Sequence, residues 1–135
     1  MSRRERWDVR ELKAGDHVRV KFHSFYHHGI YEGNGMMIHF AGPDMGHLVD
    51  PACVTVRRDT LKDFANGQHI EVRQYTLLEK LTKHSPSKAL RLARARLGEK
   101  GYDIIYNNCE HFVNACVFGK AYSTQIDDMR AMIAP

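Results

Sequence analysis

The sequence predicts an α+β fold, with one antiparallel β-sheet packed against helices. Three observations carry this. Apolar residues alternate with period two through "HVRVKF" and "GMMIHF". They recur at helical spacing in "SPSKALRLARARLGEKG" and "NNCEHFVNACVFGKA". The strand-like segments come first and the helix-like ones follow, an order typical of an antiparallel sheet with segregated helices.

Taken in order, "LKAGDHVRVKF" predicts a turn at Gly15-Asp16 and then a strand through Val18, Val20 and Phe22. "HHGIYEGNGMMIHFAG" predicts a β-hairpin turning around Gly33-Asn34-Gly35. "CVTVRR" and "HIEVRQY" read as further strands. Between them, "DTLKDFANG" reads as a short helix with Asp59 as its N-cap and Gly67 past its end. A clearer helix follows. Ser85 can cap it, Pro86 suits its first turn, Leu90, Ala93 and Leu97 line one face, and Gly98 or Gly101 stops it. The next helix ends near Gly119, and "STQIDDMRAMI" forms a last one capped by Ser123 or Thr124. No repeat or linker interrupts the 135 residues, so a single domain is expected.

The apolar share of 43% suits a globular protein. No run approaches the ~18 apolar residues of a membrane span. The start, "MSRRERWDVRELKAGD", has no apolar stretch behind its basic residues, so no signal peptide is expected and the expected location is cytoplasmic. The net charge of +4 is a mild bias toward acidic surfaces. Its densest part, Lys88, Arg91, Arg94, Arg96 and Lys100, reads as a solvated helix face, and no nucleic-acid partner is expected. Three cysteines (Cys53, Cys109, Cys116) without a C-x-x-C pair predict reduced thiols and no structural metal.

Chemistry concentrates in "YNNCEHFVNAC". Asn107 or Asn108 is a good N-cap, which puts Cys109 in the first turn of a helix. There the free N–H groups and the helix dipole favour a thiolate and should lower the thiol's pKa. Cysteine at such a place is more often a small apolar core residue, and Phe112, Val113 and Cys116 do continue an apolar stripe from it. A nucleophile needs a base and something to orient the base. The hairpin offers His27, His28 and His39, and its register decides which two share a face. A two-residue Asn34-Gly35 turn sets His39 on the face of His28. A three-residue Gly33-Asn34-Gly35 loop sets His39 opposite Gly29, on the face of His27. The spacing alone leaves both open.

"HHGIYEGNGMMIHF" and "NNCEHFV" together resemble the lecithin:retinol acyltransferase-like (H-box/NC) family, which includes the HRAS-like suppressor phospholipase/acyltransferases. Its pattern is a histidine ahead of an I-Y pair, a second histidine twelve residues on, and an N-C-E-H-F motif. Here these are His27 with Ile30-Tyr31, His39, and Asn108-Cys109-Glu110-His111-Phe112. "GDHVRV", "DTLKDFANG", "GYDIIYNNCEHF" and "STQIDDM" fit the flanks, so the likeness runs from about residue 15 to 129.

The resemblance implies a circularly permuted papain-like (NlpC-type) fold, with Cys109 as nucleophile, His27 as general base and His39 as its orienting partner. It thereby selects the three-residue loop and leaves His28 structural. His111 is expected on another helix face without a catalytic role, and Glu110 is expected to act as a capping acid. The implied activity is acyl transfer or phospholipid hydrolysis through a Cys109 thioester, with no cofactor and no metal. A phospholipid or other acyl donor would be the partner, met at the periphery of membranes with Arg91 and Arg94 toward anionic lipid. The competing readings are a cysteine peptidase or amidase of the NlpC type and a non-catalytic interaction module. Presence of all three site residues weakens the last.

Overall fold

The computed structural model describes residues 5–43, 50–103 and 107–133. Residues 1–4, at the start of "MSRRERWDVRELKAGD", and 104–106, in the "GYDIIYNNCEHF" flank, lie outside it. The elements are β1 (Arg6–Asp8), β2 (His17–Phe22), β3 (Phe25–Gly33), β4 (Met36–Ala41), β5 (Thr55–Thr60), α1 (Leu61–Ala65), β6 (Glu71–Gln74), α2 (Leu77–Thr82), α3 (Pro86–Ala95), α4 (Cys109–Phe118) and α5 (Thr124–Ile133). The six strands form one sheet in the order β1-β6-β2-β3-β4-β5, every pairing antiparallel. The α+β class with an antiparallel sheet is therefore as expected.

Strand alternation divides the buried residues into two layers. Val18, Val20 and Met37 face one side and pack with Phe64 and Ala65 of α1. Ile30, Ile38, Phe40 and Val56 face the other, under α3 and α4, with Leu90, Ala93, Phe112, Val113 and Cys116. Each fully buried aliphatic or aromatic side chain there contributes roughly 1.5–3 kcal/mol. The second layer is thick enough to fix α4, and α4 carries Cys109.

The hairpin resolves its register in an unexpected way. Its tight turn is the two-residue Asn34-Gly35, both left-handed at φ 55° and 74°, and Gly33 pairs with Met36. The three-residue loop is thus corrected. Beyond the turn, however, Glu32 is an extra residue between the Tyr31–Met37 and Gly33–Met36 pairs. Such a bulge shifts all later pairings by one. His39 consequently falls opposite Gly29, the register the longer loop would have given. Arg58 at 2.6 Å and Arg94 at 2.8 Å hold the Glu32 carboxylate. Arg94, on α3, thus shares Glu32 with Arg58 of β5.

Two element boundaries also differ. The cap of α1 is Thr60, whose hydroxyl accepts from the Asp63 N–H, and not Asp59, which belongs to β5. Helix α3 ends at Ala95, before either glycine, because the chain then turns to pair with β5 through Gly98 N–H to Val56 O at 2.7 Å. Helix α2 and strand β1 were not expected. For α2 a signal existed, since Thr76 and Glu79 form a reciprocal capping box.

Candidate active site

Strand β3 presents His27 to the α1 side of the sheet, where β4 presents His39. The two rings meet, His27 Nε2 to His39 Nδ1, at 2.8 Å. Room for this comes from Gly29, between them in register. A Cβ there would sit 2.8 Å from Phe64, 2.9 Å from Met37 and 3.2 Å from His39. Phe64 in turn packs on both rings, with centroids 5.1 and 5.5 Å away. The far nitrogen of His39, Nε2, lies 2.7 Å from Asp59 Oδ2. Sequence reasoning missed Asp59. The signal available was its two-residue offset from Arg57, the strand partner of His39, which puts both on the same face.

His28, one residue on, faces the opposite layer. Its Nδ1 meets His17 Nε2, also at 2.8 Å, with the edge of Trp7 against both rings. His28 is thus set apart from the first pair, as the resemblance implied.

Cys109 opens α4. Asn108 is its N-cap: the side-chain oxygen accepts the N–H groups of Glu110 (2.9 Å) and His111 (3.0 Å). His111 returns the favour, its Nδ1 accepting the Asn108 N–H at 3.0 Å. That is a structural role. Glu110 is not a cap for α4 either. Its buried carboxylate accepts from Ser123 Oγ at 2.6 Å and from the Gln125 N–H at 3.3 Å, so it anchors the start of α5.

The backbone N–H of His28 is among the groups that favour the Cys109 thiolate. Strand pairing explains why that N–H is available. Pairing between β3 and β4 stops at Gly29–His39, while β3 continues back to Phe25 against β2 alone. The opened edge of β3 is sealed by side chains. Gln125 of α5 accepts the Tyr26 N–H at 2.9 Å and donates to the Tyr26 carbonyl at 3.3 Å. Cys109 itself packs in the layer of Ile30, Ile38 and Phe40, under α3 and α4.

Burial sets the electrostatics. It holds the His27 imidazole well below its ordinary pKa, helped by neighbouring His39 and His28. The Cys109 thiol is pushed up to about 12, chiefly by burial, and the donors facing it, the His28 N–H first, offset only part of this. The expected lowering at the helix N-terminus is thus overturned: dehydration outweighs the dipole. At neutral pH the resting site holds a neutral thiol and a neutral imidazole. Burial also acts on Glu110, but His28, the Ser123 hydroxyl and the first N–H groups of α5 together keep that carboxyl below the usual range.

A cleft of about 200 Å³ opens on the α1 side, lined by Val20, Phe22, Phe64 and Ala65 with polar Gln68, and His27 forms part of its wall. Among the described residues, no group of three or more His, Cys, Asp or Glu could hold a metal ion. Nor, among them, is any helix long and apolar enough to cross a membrane. All three cysteines are free, Cys53 exposed and the others buried.

The chain is similar to several known proteins. The rat protein "Lecithin retinol acyltransferase" is 30% identical over 143 residues, covering 90% of this chain and 61% of its own length. The human protein of the same name is 30% identical over 142 residues with the same coverage. Human "Phospholipase A and acyltransferase 3" is 32% identical over 136 residues, covering 90% of this chain and 80% of the relative. The chain thus spans about three fifths of the lecithin retinol acyltransferases it matches. The family model described as "Lecithin retinol acyltransferase" matches residues 10–122, and the chain belongs to that family.

Proposed function

We propose that the protein is a thiol-dependent acyltransferase or phospholipase that works on lipid acyl groups through a Cys109 thioester. One observation carries this reading. Helix α4, which Cys109 opens, packs on β3, the strand whose His27 imidazole is tied through Nε2 to a second imidazole. With Nε2 so engaged, Nδ1 of His27 is the nitrogen left to receive the thiol proton.

Both partners rest uncharged, so proton transfer accompanies attack and no stored thiolate precedes it. As the sulfur bonds to an ester carbonyl carbon, its proton passes to His27 Nδ1. The oxyanion is met by the backbone N–H of Cys109, at the start of α4. The tetrahedral intermediate collapses, the alkoxide leaves with the proton from His27, and the thioester remains. Water, an alcohol or an amine then gives its proton to His27 Nδ1 and attacks the thioester carbonyl. Thiolate departs and recovers that proton.

A lipid substrate is supported by the names of the relatives and by the mixed apolar and polar lining of the cleft beside His27. Contact with a membrane surface is assigned to exposed Phe25, Met129 and Met132. The two methionines follow Gln125 at helical spacing, and Gln125 grips the edge of β3 next to the thiol.

Intact mass spectrometry after exposure to a mixed panel of phospholipids and peptide esters tests the reading. An acyl adduct from phospholipid, absent in Cys109→Ala, is expected. An adduct from peptide ester alone would point to a peptidase, and no adduct on position 109 would end the proposal.

A further inference from the structure

We propose that Asp59 is a positioning residue of this site: it holds the proton of His39 on Nε2, and through two rings this keeps Nδ1 of His27 bare toward Cys109. The inference rests on the acyl-transfer reading only for its kinetic consequence. The wiring itself is geometric.

An ionised carboxylate can only accept hydrogen bonds. Asp59 Oδ2 lies 2.7 Å from His39 Nε2, so that nitrogen carries the proton. The opposite nitrogen of a neutral imidazole is then an acceptor. His39 Nδ1 lies 2.8 Å from His27 Nε2 and must take a proton from it. His27 is thereby fixed as the Nε2–H tautomer, and its Nδ1 keeps a lone pair. Reversing the first bond would reverse every later one and put a proton on the atom that has to receive one.

Two features keep the chain in this sense. Arg57 lies two residues before Asp59 and donates Nε–H to the same oxygen at 2.8 Å, which keeps the carboxylate in place. The hydrogen bond from His39 first, with the Arg57 guanidinium, holds the Asp59 carboxyl below its ordinary range despite partial burial. The rings cannot easily turn either, since the side chain of His39 is fully buried and Phe64 lies against both. The charged or titratable groups that act on the pair are Arg57 and Asp59 on β5 and His28 on β3, and α1 packs Phe64 on both rings.

Ring-nitrogen NMR of the ¹⁵N-labelled full chain reads the tautomers without substrate. The wild type should show Nε2–H on both His27 and His39. In Asp59→Leu, the freed Arg57 N–H donates to His39 Nε2, so both rings should switch to Nδ1–H, and Asp59→Glu should restore Nε2–H. Phospholipid turnover in Asp59→Leu should fall about 100-fold at unchanged KM, the lower range for loss of a competent general base. Nδ1–H on His27 of the wild type would overturn the proposal, and this arm stands even if Asp59→Leu does not fold. Unchanged tautomers in a folded Asp59→Leu would overturn it as well. A chain that shows the switch but turns over no lipid would leave Asp59 its role and refute the acyl-transfer reading instead.

Discussion

Among the described residues are two buried imidazole pairs, on adjacent residues of one strand and on opposite faces of one sheet. In each, ring nitrogens meet at 2.8 Å. His27–His39 runs from a cleft to a carboxylate. His17–His28 runs from Gln125, 3.5 Å from His28 Nε2, to His17 Nδ1, a buried nitrogen without a hydrogen-bond partner in the structure. The first pair can pass a proton's charge toward Asp59. The second ends at the edge of Trp7, with Arg19 and Arg73 near enough to oppose a positive charge on His17. A histidine pair is therefore not a catalytic feature in itself. What stands at its two ends decides whether it is chemistry or packing.

The largest way to break this comparison is to treat both pairs alike. His39→Ala should lower acyl transfer about 1000-fold, because His27 loses its orientation and the route to Asp59. His17→Gln, which can still offer an amide to His28 Nδ1, should stay within about 3-fold. Steady-state kinetics on the two variants decides, and similar losses would make the pairs equivalent.

A smaller effect concerns the space around the first pair. Gly29→Ala inserts a Cβ against Phe64, Met37 and His39. Overpacking of this kind costs about 1–3 kcal/mol. Ile30→Val, on the other face, should cost only about 0.5–1.5 kcal/mol. Urea denaturation midpoints compare the two, and only the glycine variant should also lose activity.

The mildest contrast is the response to acid. His17, His27 and His28 all have folded values below the ordinary 6.5, with His28 at about 4, each chiefly through burial. Depressed histidines let the unfolded chain bind more protons, so they favour the fold above about pH 6.5 and progressively cost stability as pH falls toward 4. Each contributes up to ~1.4 kcal/mol per pH unit in that window. Melting temperature should therefore drop between pH 7 and pH 5, and His17→Gln should flatten the drop by about one proton's worth. An unchanged slope would mean that His17 is not held neutral.

Much of the site was legible in the sequence, and the exceptions have physical reasons. Asn108, Cys109 and the apolar stripe after it could be read because helix caps and helical periodicity are local. The tight turn was legible in Asn34-Gly35, yet the register was not, because a bulge at Glu32 leaves the same letters and changes every later pair. Asp59 read as a helix cap since Asp before a helical run usually is one; its strand role depends on β4 lying alongside. Gln125 sealing the edge at Tyr26 joins residues 99 apart, a contact that no local pattern announces. The thiol was misjudged for a related reason: a helix N-terminus is visible in sequence, and the dryness around it is not. β1, three residues at a sheet edge, is too short to show alternation.

The most direct test measures single-turnover acylation of Cys109 in His27→Ala and His28→Ala, both confirmed folded by circular dichroism. The account predicts a loss of about 1000-fold for His27→Ala and less than about 10-fold for His28→Ala, which leaves the backbone N–H in place. An equal loss in both, or a greater one in His28→Ala, would contradict it.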